Sequence, residues 1–257
     1  MNFNNIKKKE KSLKMKDVKL TLAFQREIAE DTFEAILEGD VSDIISPGQF
    51  INIKLDGYFL RRPISVCDLT ERTVTIIYKV VGEGTRKMSE SPIGTEWLTL
   101  TGLGNGYDTS LSGDRPLLIG GGAGVPPMYL LAKKLIAEGK TPSVILGFGT
   151  KNQVFYKEKF TKLGLSVAVT TNDGSEGTRG FVTDEMDNFD YTYFYTCGPE
   201  PMLKAIYNKS KTSGQFSFEE RMGCGFGACM GCTCETKYGN KRICRDGPVL
   251  VKEDIIW

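Results

Sequence analysis

The stretch Arg115–Gly139, RPLLIGGGAGVPPMYLLAKKLIAEG, decides the fold. Its apolar run PLLI reads as a buried strand, Gly120-Gly121-Gly122-Ala123-Gly124 as a tight turn, and MYLLAKKLIAEG as a helix started by Pro126 and Pro127. Glycines let a nucleotide approach the backbone, and a helix N-terminus attracts phosphate. Gly120, Gly122 and Gly124 are therefore candidate nucleotide-binding positions. The strict G-x-G-x-x-G fingerprint is absent, as is an acidic residue at the place of a classical ribose ligand, so a dinucleotide site here is of a different subtype.

Toward the C-terminus the same texture continues through SVILGFG, NQVFYKEKFTKLG, LSVAVTT and YTYFYTCGPEPMLKAIYNKS. Short apolar runs alternating with helical segments indicate parallel βαβ units. Cys197-Gly198-Pro199-Glu200 is a second turn between strand and helix, and Cys197 and Gly198 would line the same sheet edge as the first, where open α/β folds bind ligands. QFSFEE reads as a last strand before a cysteine-rich segment.

Toward the N-terminus the helices disappear. VKLTLAF, TFEAILEG, GQFINIKL, TVTIIYKV and EWLTLTG are strand-like runs separated by Gly, Pro and Asp, which suggests a small antiparallel barrel. Arg61-Arg62-Pro63-Ile64-Ser65 offers a guanidinium for a pyrophosphate, a rigid proline and a hydroxyl within reach of a ring, although an arginine pair before an edge-strand proline reads equally as plain surface. Gly82, Gly84 and Thr85 precede a possible short helix whose backbone N–H groups would suit a second phosphate oxygen, or else form an ordinary turn. The Lys-rich residues 1–14 read as a frayed, disordered basic extension.

Cys224, Cys229, Cys232 and Cys244 are separated by four residues, then two, then a longer gap. That is the plant-type ferredoxin spacing for a two-iron two-sulfur (2Fe-2S) cluster. Gly223, Gly225, Gly227, Ala228 and Gly231 remove bulk and let backbone N–H groups approach the sulfurs. A zinc knot is disfavoured because its ligands come as two close pairs, whereas Cys244 stands alone. Cys234, two residues past Cys232, reads as a spare thiol; Cys67 and Cys197 read as small buried residues.

Charge is nearly balanced, 33 Lys and Arg against 32 Asp and Glu, so no global field favours nucleic acid or an anionic membrane. There is no apolar run long enough for a membrane span or a secretory signal, so a soluble, cytoplasmic chain is expected. The absence of histidine excludes Ser-His-Asp triads and Cys/His zinc sites on this chain, leaving chemistry done by cofactors.

In their order, RRPIS, IYK (Ile77, Tyr78, Lys79), GT, GGGAGVPPM, CGPEPM, CGFGACMGC and CRDGPV resemble the ferredoxin-NADP reductase superfamily. Within it they are most similar to the electron-transfer subunits of NAD-dependent type B dihydroorotate dehydrogenase. The resemblance spans about residues 18–257. It implies an FAD-binding β-barrel domain over 15–110, an NAD-binding α/β domain over 111–215 and a cluster segment over 216–257. It further implies that Arg62, Pro63, Ile64, Ser65, Ile77, Tyr78, Lys79, Gly84 and Thr85 hold FAD and that Cys224, Cys229, Cys232 and Cys244 hold the cluster. The implied partner is an FMN-containing catalytic subunit that oxidises dihydroorotate, in a heterotetramer of two plus two, with Met222, Phe226 and Met230 as candidate contacts or as ordinary packing around the cluster. NAD is expected over NADP because GFGTKNQ lacks an arginine for a 2′-phosphate, Lys151 being a weak substitute. Rival readings are the reductase subunit of a ferredoxin-NADP transhydrogenase or sulfhydrogenase, and a non-catalytic zinc module.

Overall fold

Alternation sets the first layer. In β1 (Lys16–Ala29), β2 (Thr32–Glu38) and β3 (Phe50–Ile53) every second apolar side chain turns inward, so that Leu20, Leu22, Ala35, Leu37, Ile51 and Ile53 are fully buried. With β4 (Arg62–Leu69), β5 (Thr73–Lys79) and, after the short helix α1 (Glu83–Ser89), β6 (Glu96–Leu103), these strands close an antiparallel barrel in the order β1-β2-β5-β4-β3-β6. Closure removes unpaired sheet edges, and each large side chain buried inside stabilises by about 1.5–3 kcal/mol. This computed structural model describes residues 15–257, so the expected basic extension over 1–14 lies outside the described residues.

β4 is a strand that the sequence presents only as the end of a strand-like run. Its first half, Arg62 to Ser65, pairs with β3 alone, because pairing with β5 begins at Val66 opposite Ile76. Pro63 has no N–H to donate and is tolerated there because one side of the strand is open. That open side is a ledge on the outside of the barrel.

The second layer is a parallel sheet with an antiparallel last strand. β7 (Pro116–Gly121), α2 (Val125–Ala137), β8 (Ser143–Phe148), α3 (Lys157–Lys162), β9 (Ser166–Thr171), β10 (Thr178–Arg179), α4 (Val182–Glu185), β11 (Tyr193–Cys197), α5 (Glu200–Lys209) and β12 (Gly214–Ser217) follow in chain order. The hairpin β13 (Thr233–Thr236) and β14 (Gly239–Arg242), then α6 (Ile243–Asp246), carry the cysteine segment, and β15 (Val249–Val251) returns to pair antiparallel with β12. The sheet order β10-β9-β8-β7-β11-β12-β15 reverses direction between β7 and β11. A crevice opens at such a switch point, beyond the carboxyl ends of the two strands.

Two buried clusters, one on each sheet face, join the layers. Cys67 and Ile77 of the barrel pack with Leu118, Val125, Met128 and Leu131. On the other sheet face, Phe50, Leu100 and Leu103 of the barrel pack with Ile119, Phe216, Ile243 and Cys244. At the barrel's junction with α3, the carboxylate of Glu34, 4% exposed, accepts hydrogen bonds from the Tyr156 hydroxyl at 2.7 Å and Lys159 Nζ at 2.8 Å, and pairs with Arg26 at 2.9 Å. Tyr156 is held at φ 66°, a left-handed conformation that a bulky residue keeps only when its surroundings fix it. Among the described residues no helix is long and apolar enough to cross a membrane.

Candidate functional site

The cysteine loop is built from left-handed turns. Gly225 at φ 79°, Gly227 at φ 89° and Met230 at φ 62° wind Cys224 to Cys232 tightly enough that backbone N–H groups turn toward sulfur. The amides of Ala228, Phe226 and Cys229 donate to Cys224 Sγ at 3.2, 3.4 and 3.4 Å, and Cys224 N donates to Cys229 Sγ at 3.5 Å. Cys244, carried in by α6, donates its amide to Cys232 Sγ at 3.4 Å. Arg242 secures the loop by donating to the Gly227 carbonyl at 2.9 Å.

Burial pushes the Cys224 thiol up, but the N–H groups of Cys229, Phe226 and Ala228 outweigh it and bring it down to about 6. Burial, followed by the neighbouring Cys232, pushes Cys244 up to about 12. Thiolate is thus favoured at Cys224 and disfavoured at the buried end of the group, at Cys244, which is 2% exposed. Positive charge at that buried end would complete the set.

The four thiols stand as two pairs, Cys224 with Cys229 and Cys232 with Cys244. Among the described residues no group of three or more Cys, His, Asp or Glu side chains is placed around a single ion. Two pairs fit two irons with two thiolates each. Cys234 is placed differently, half-buried on β13 and lining a separate cavity with Phe218, Thr236 and Trp257. Phe226 and Met230, 42% and 55% exposed, rim the solvent side of the loop, while Met222 packs partly buried beneath it.

The ledge of β4 places Arg62, Pro63, Ile64 and Ser65 in a half-buried row. The Arg62 guanidinium lies over the Tyr58 ring at 4.9 Å and across the first turn of α1, where a side-chain carbon on Gly84 would stand 2.1 Å from Arg62 Nε. A bare glycine under an arginine at a helix start is a cradle suited to a pyrophosphate. Thr85 is buried beside it, but its hydroxyl accepts from the Val81 and Gly82 amides and donates to the Gly82 carbonyl, so it shapes the turn.

Ile77, Tyr78 and Lys79 face the crevice of the sheet across a cavity of about 510 Å³, within the size range of small-molecule sites. Tyr78 also anchors this strand, since its hydroxyl donates to Gln25 at 2.8 Å. The sheet side of the cavity is formed by Gly122, Ala123, Phe148, Asn172 and Phe181. Gly122, at φ 50°, has open space where a side chain would be. Gly120 and Gly124 do not line the cavity, because the chain approaches itself there: a side-chain carbon would stand 2.9 Å from Val125 Cα at Gly120 and 2.1 Å from the Cys197 carbonyl oxygen at Gly124. Cys197 is buried under that crossing and Gly198 packs against Met202. Asn172 and Phe181 carry no motif and were not legible as site residues.

A closed barrel with an arginine ledge, facing the switch point of a parallel sheet and followed by paired thiols, defines an oxidoreductase of the ferredoxin-NADP reductase superfamily. Residues 118–208 match the family described as oxidoreductase NAD-binding domain, and residues 219–256 match the iron-sulfur cluster binding domain of dihydroorotate dehydrogenase B. The electron transfer subunit of dihydroorotate dehydrogenase B (NAD(+)) from Fusobacterium nucleatum is 44% identical over 89% of this chain and 94% of its own length. The corresponding subunit from Shouchella clausii is 39% identical over 95% of this chain and 100% of its own. The chain belongs to this family of electron transfer subunits. The solved structure of an NADH-dependent reduced ferredoxin-NADP oxidoreductase, a system of flavin-based electron bifurcation, superposes with a TM-score of 0.84 at 30% identity, covering 93% of this chain and 90% of that one.

Proposed function

We propose that this chain carries electrons between NAD and a separate FMN-containing subunit that oxidises dihydroorotate, in pyrimidine biosynthesis. The observation that carries the proposal is the continuity of the two sites: the paired-thiol loop lies against β3, and β3 is hydrogen-bonded to the ledge strand β4. When bound, FAD exchanges a hydride with nicotinamide, taking two electrons and a proton together, and the cluster exchanges those electrons singly.

Each group on the chain then has a positioning task. Arg62 and Gly84 would receive the FAD pyrophosphate, with Thr85 fixing the turn beneath it, and Pro63, Ile64, Ser65, Ile77, Tyr78 and Lys79 would hold the ring and its ribityl chain. Gly122 would admit the nicotinamide nucleotide, while Gly120, Gly124, Cys197 and Gly198 keep the two strand ends close enough to form the crevice. Cys224 and Cys229 would hold one iron, Cys232 and Cys244 the other, leaving Cys234 free. The backbone N–H groups at Cys224 would favour the reduced, more negative state of a cluster held there.

Among the described residues, Lys79 is the single cation lining the cavity, and no arginine lines it to grip a 2′-phosphate. NADH should therefore exceed NADPH in kcat/KM by at least about tenfold, in keeping with the loss of one charged contact. Equal use of the two would contradict the assignment. The exposed rim of Phe226 and Met230 suits an apolar partner contact beside the cluster. A cytoplasmic heterotetramer of two plus two is the assembly proposed.

Mixing the chain with the FMN subunit, dihydroorotate and NAD tests this function. NADH formation that needs both proteins, with a light-scattering mass of two copies of each, is expected. Dihydroorotate-independent transfer from NADH to a ferredoxin as the main activity would favour the transhydrogenase reading instead.

A further inference from the structure

β3 carries one polar residue, Asn52, in the run Phe-Ile-Asn-Ile. Ile51 and Ile53 point into the barrel, so Phe50 and Asn52 point outward, yet Phe50 is 3% exposed, packed in the cluster between barrel and sheet, and Asn52 is 1% exposed, with the cysteine loop against it. Asn52 stands opposite Pro63 of the ledge. Its Nδ2 donates to the Cys224 carbonyl at 3.2 Å, and a side-chain carbon on Gly225 would stand 2.2 Å from that nitrogen. The ligand-bearing loop is thus pressed onto one amide. Asn52 Oδ1 is buried without a hydrogen-bond partner among the described residues. Buried polar atoms are almost always paired, so this oxygen points to a donor supplied by a bound group. A flavin held on the ledge would offer such donors in its imide N–H and ribityl hydroxyls.

We infer that Asn52 is a positioning residue that ties the flavin ledge to the cluster loop, holding Cys224 through Nδ2 and presenting Oδ1 to the flavin side. The inference rests on the electron-transfer reading above. No electron passes through Asn52 itself; it fixes the separation and orientation of the two carriers.

The test uses the full chain loaded with FAD and cluster, comparing the parent with Asn52→Leu, which keeps volume and removes both polar atoms, and Asn52→Asp, which keeps shape and removes the donor. Iron, sulfide and FAD contents, the electron paramagnetic resonance spectrum of the reduced cluster, and stopped-flow reduction by NADH are recorded. In both variants the flavin-to-cluster phase should slow several-fold more than the NADH-to-flavin phase, because the two carriers lose their fixed separation. The cluster resonance should shift as well. Selective loss of the cluster with FAD retained would equally support the anchoring of Cys224. Full loading with unchanged resonance and an unchanged ratio of the two phases would overturn the inference. So would joint loss of FAD and cluster in both variants with a lowered unfolding midpoint, which would make Asn52 a packing residue. A parent chain without FAD or without two irons would sink the electron-transfer reading, and this inference with it.

Discussion

Cys232 and Cys234 are two residues apart, yet Cys232 pairs with Cys244 while Cys234 lines a different cavity. Cys234→Ser should therefore keep its iron and sulfide, whereas Cys244→Ser should lose most of both; iron analysis of the purified variants separates the two, and loss at Cys234 would contradict the pairing. The glycines divide in the same way. Gly124→Ala forces a carbon onto the Cys197 carbonyl and should cost about 1–3 kcal/mol in urea unfolding. Gly122→Ala meets open space and carries only the left-handed backbone cost of about 1–2 kcal/mol, with weakened binding of the nicotinamide nucleotide read by titration. Spacing made the four thiols legible, because metal geometry dictates it. Which glycine faces open space in the cavity and which faces the chain was not legible, since both uses demand the same missing side chain. Asn52 left a faint signal, one polar residue between two isoleucines, that only the covering loop makes meaningful.

Among the elements, the barrel runs and the βαβ units could be read from period alone, because each buries one face against a single core. β4 and β15 were harder. β4 opens with Arg-Pro, which reads as a strand ending, and is a strand only because its pairing there is one-sided. β15 has three residues and pairs with β12, 32 or more positions earlier in the chain, a contact that no local pattern announces. The junction of β2 with α3 was also silent in the sequence, since Glu34 and Lys159 lie far apart along the chain. Burial pushes the Glu34 carboxyl up, but Lys159 and Tyr156 outweigh it and hold the group below its ordinary 4.5. A depressed carboxylate stabilises fully above its unfolded value, and that contribution disappears as pH falls through the folded one. Glu34→Gln should thus lose about 1–2 kcal/mol at pH 7, because its charge-assisted hydrogen bonds go while Lys159 and Arg26 stay half-exposed. Its urea midpoint should also fall less between pH 5 and about 3 than the parent's. Parallel pH profiles would contradict this role.

For the molecule as a whole, the proposed order of parts is the mechanism in outline: the sheet crevice for the nucleotide, the β4 ledge for the flavin and the thiol loop for the cluster lie against buried clusters on the two sheet faces, with the thiol loop opening outward at Phe226 and Met230. The sequence made that order readable because each part has its own residue chemistry; the contact of β3 with the thiol loop, which gives the order its meaning, exists only in the folded chain. The most direct test is an anaerobic absorption spectrum of the purified chain, with iron, sulfide, zinc and flavin analysis, before and after NADH. Two irons, two sulfides and one FAD, bleached by NADH, are predicted. A colourless protein holding zinc, with no flavin or sulfide after anaerobic reconstitution, would contradict the account.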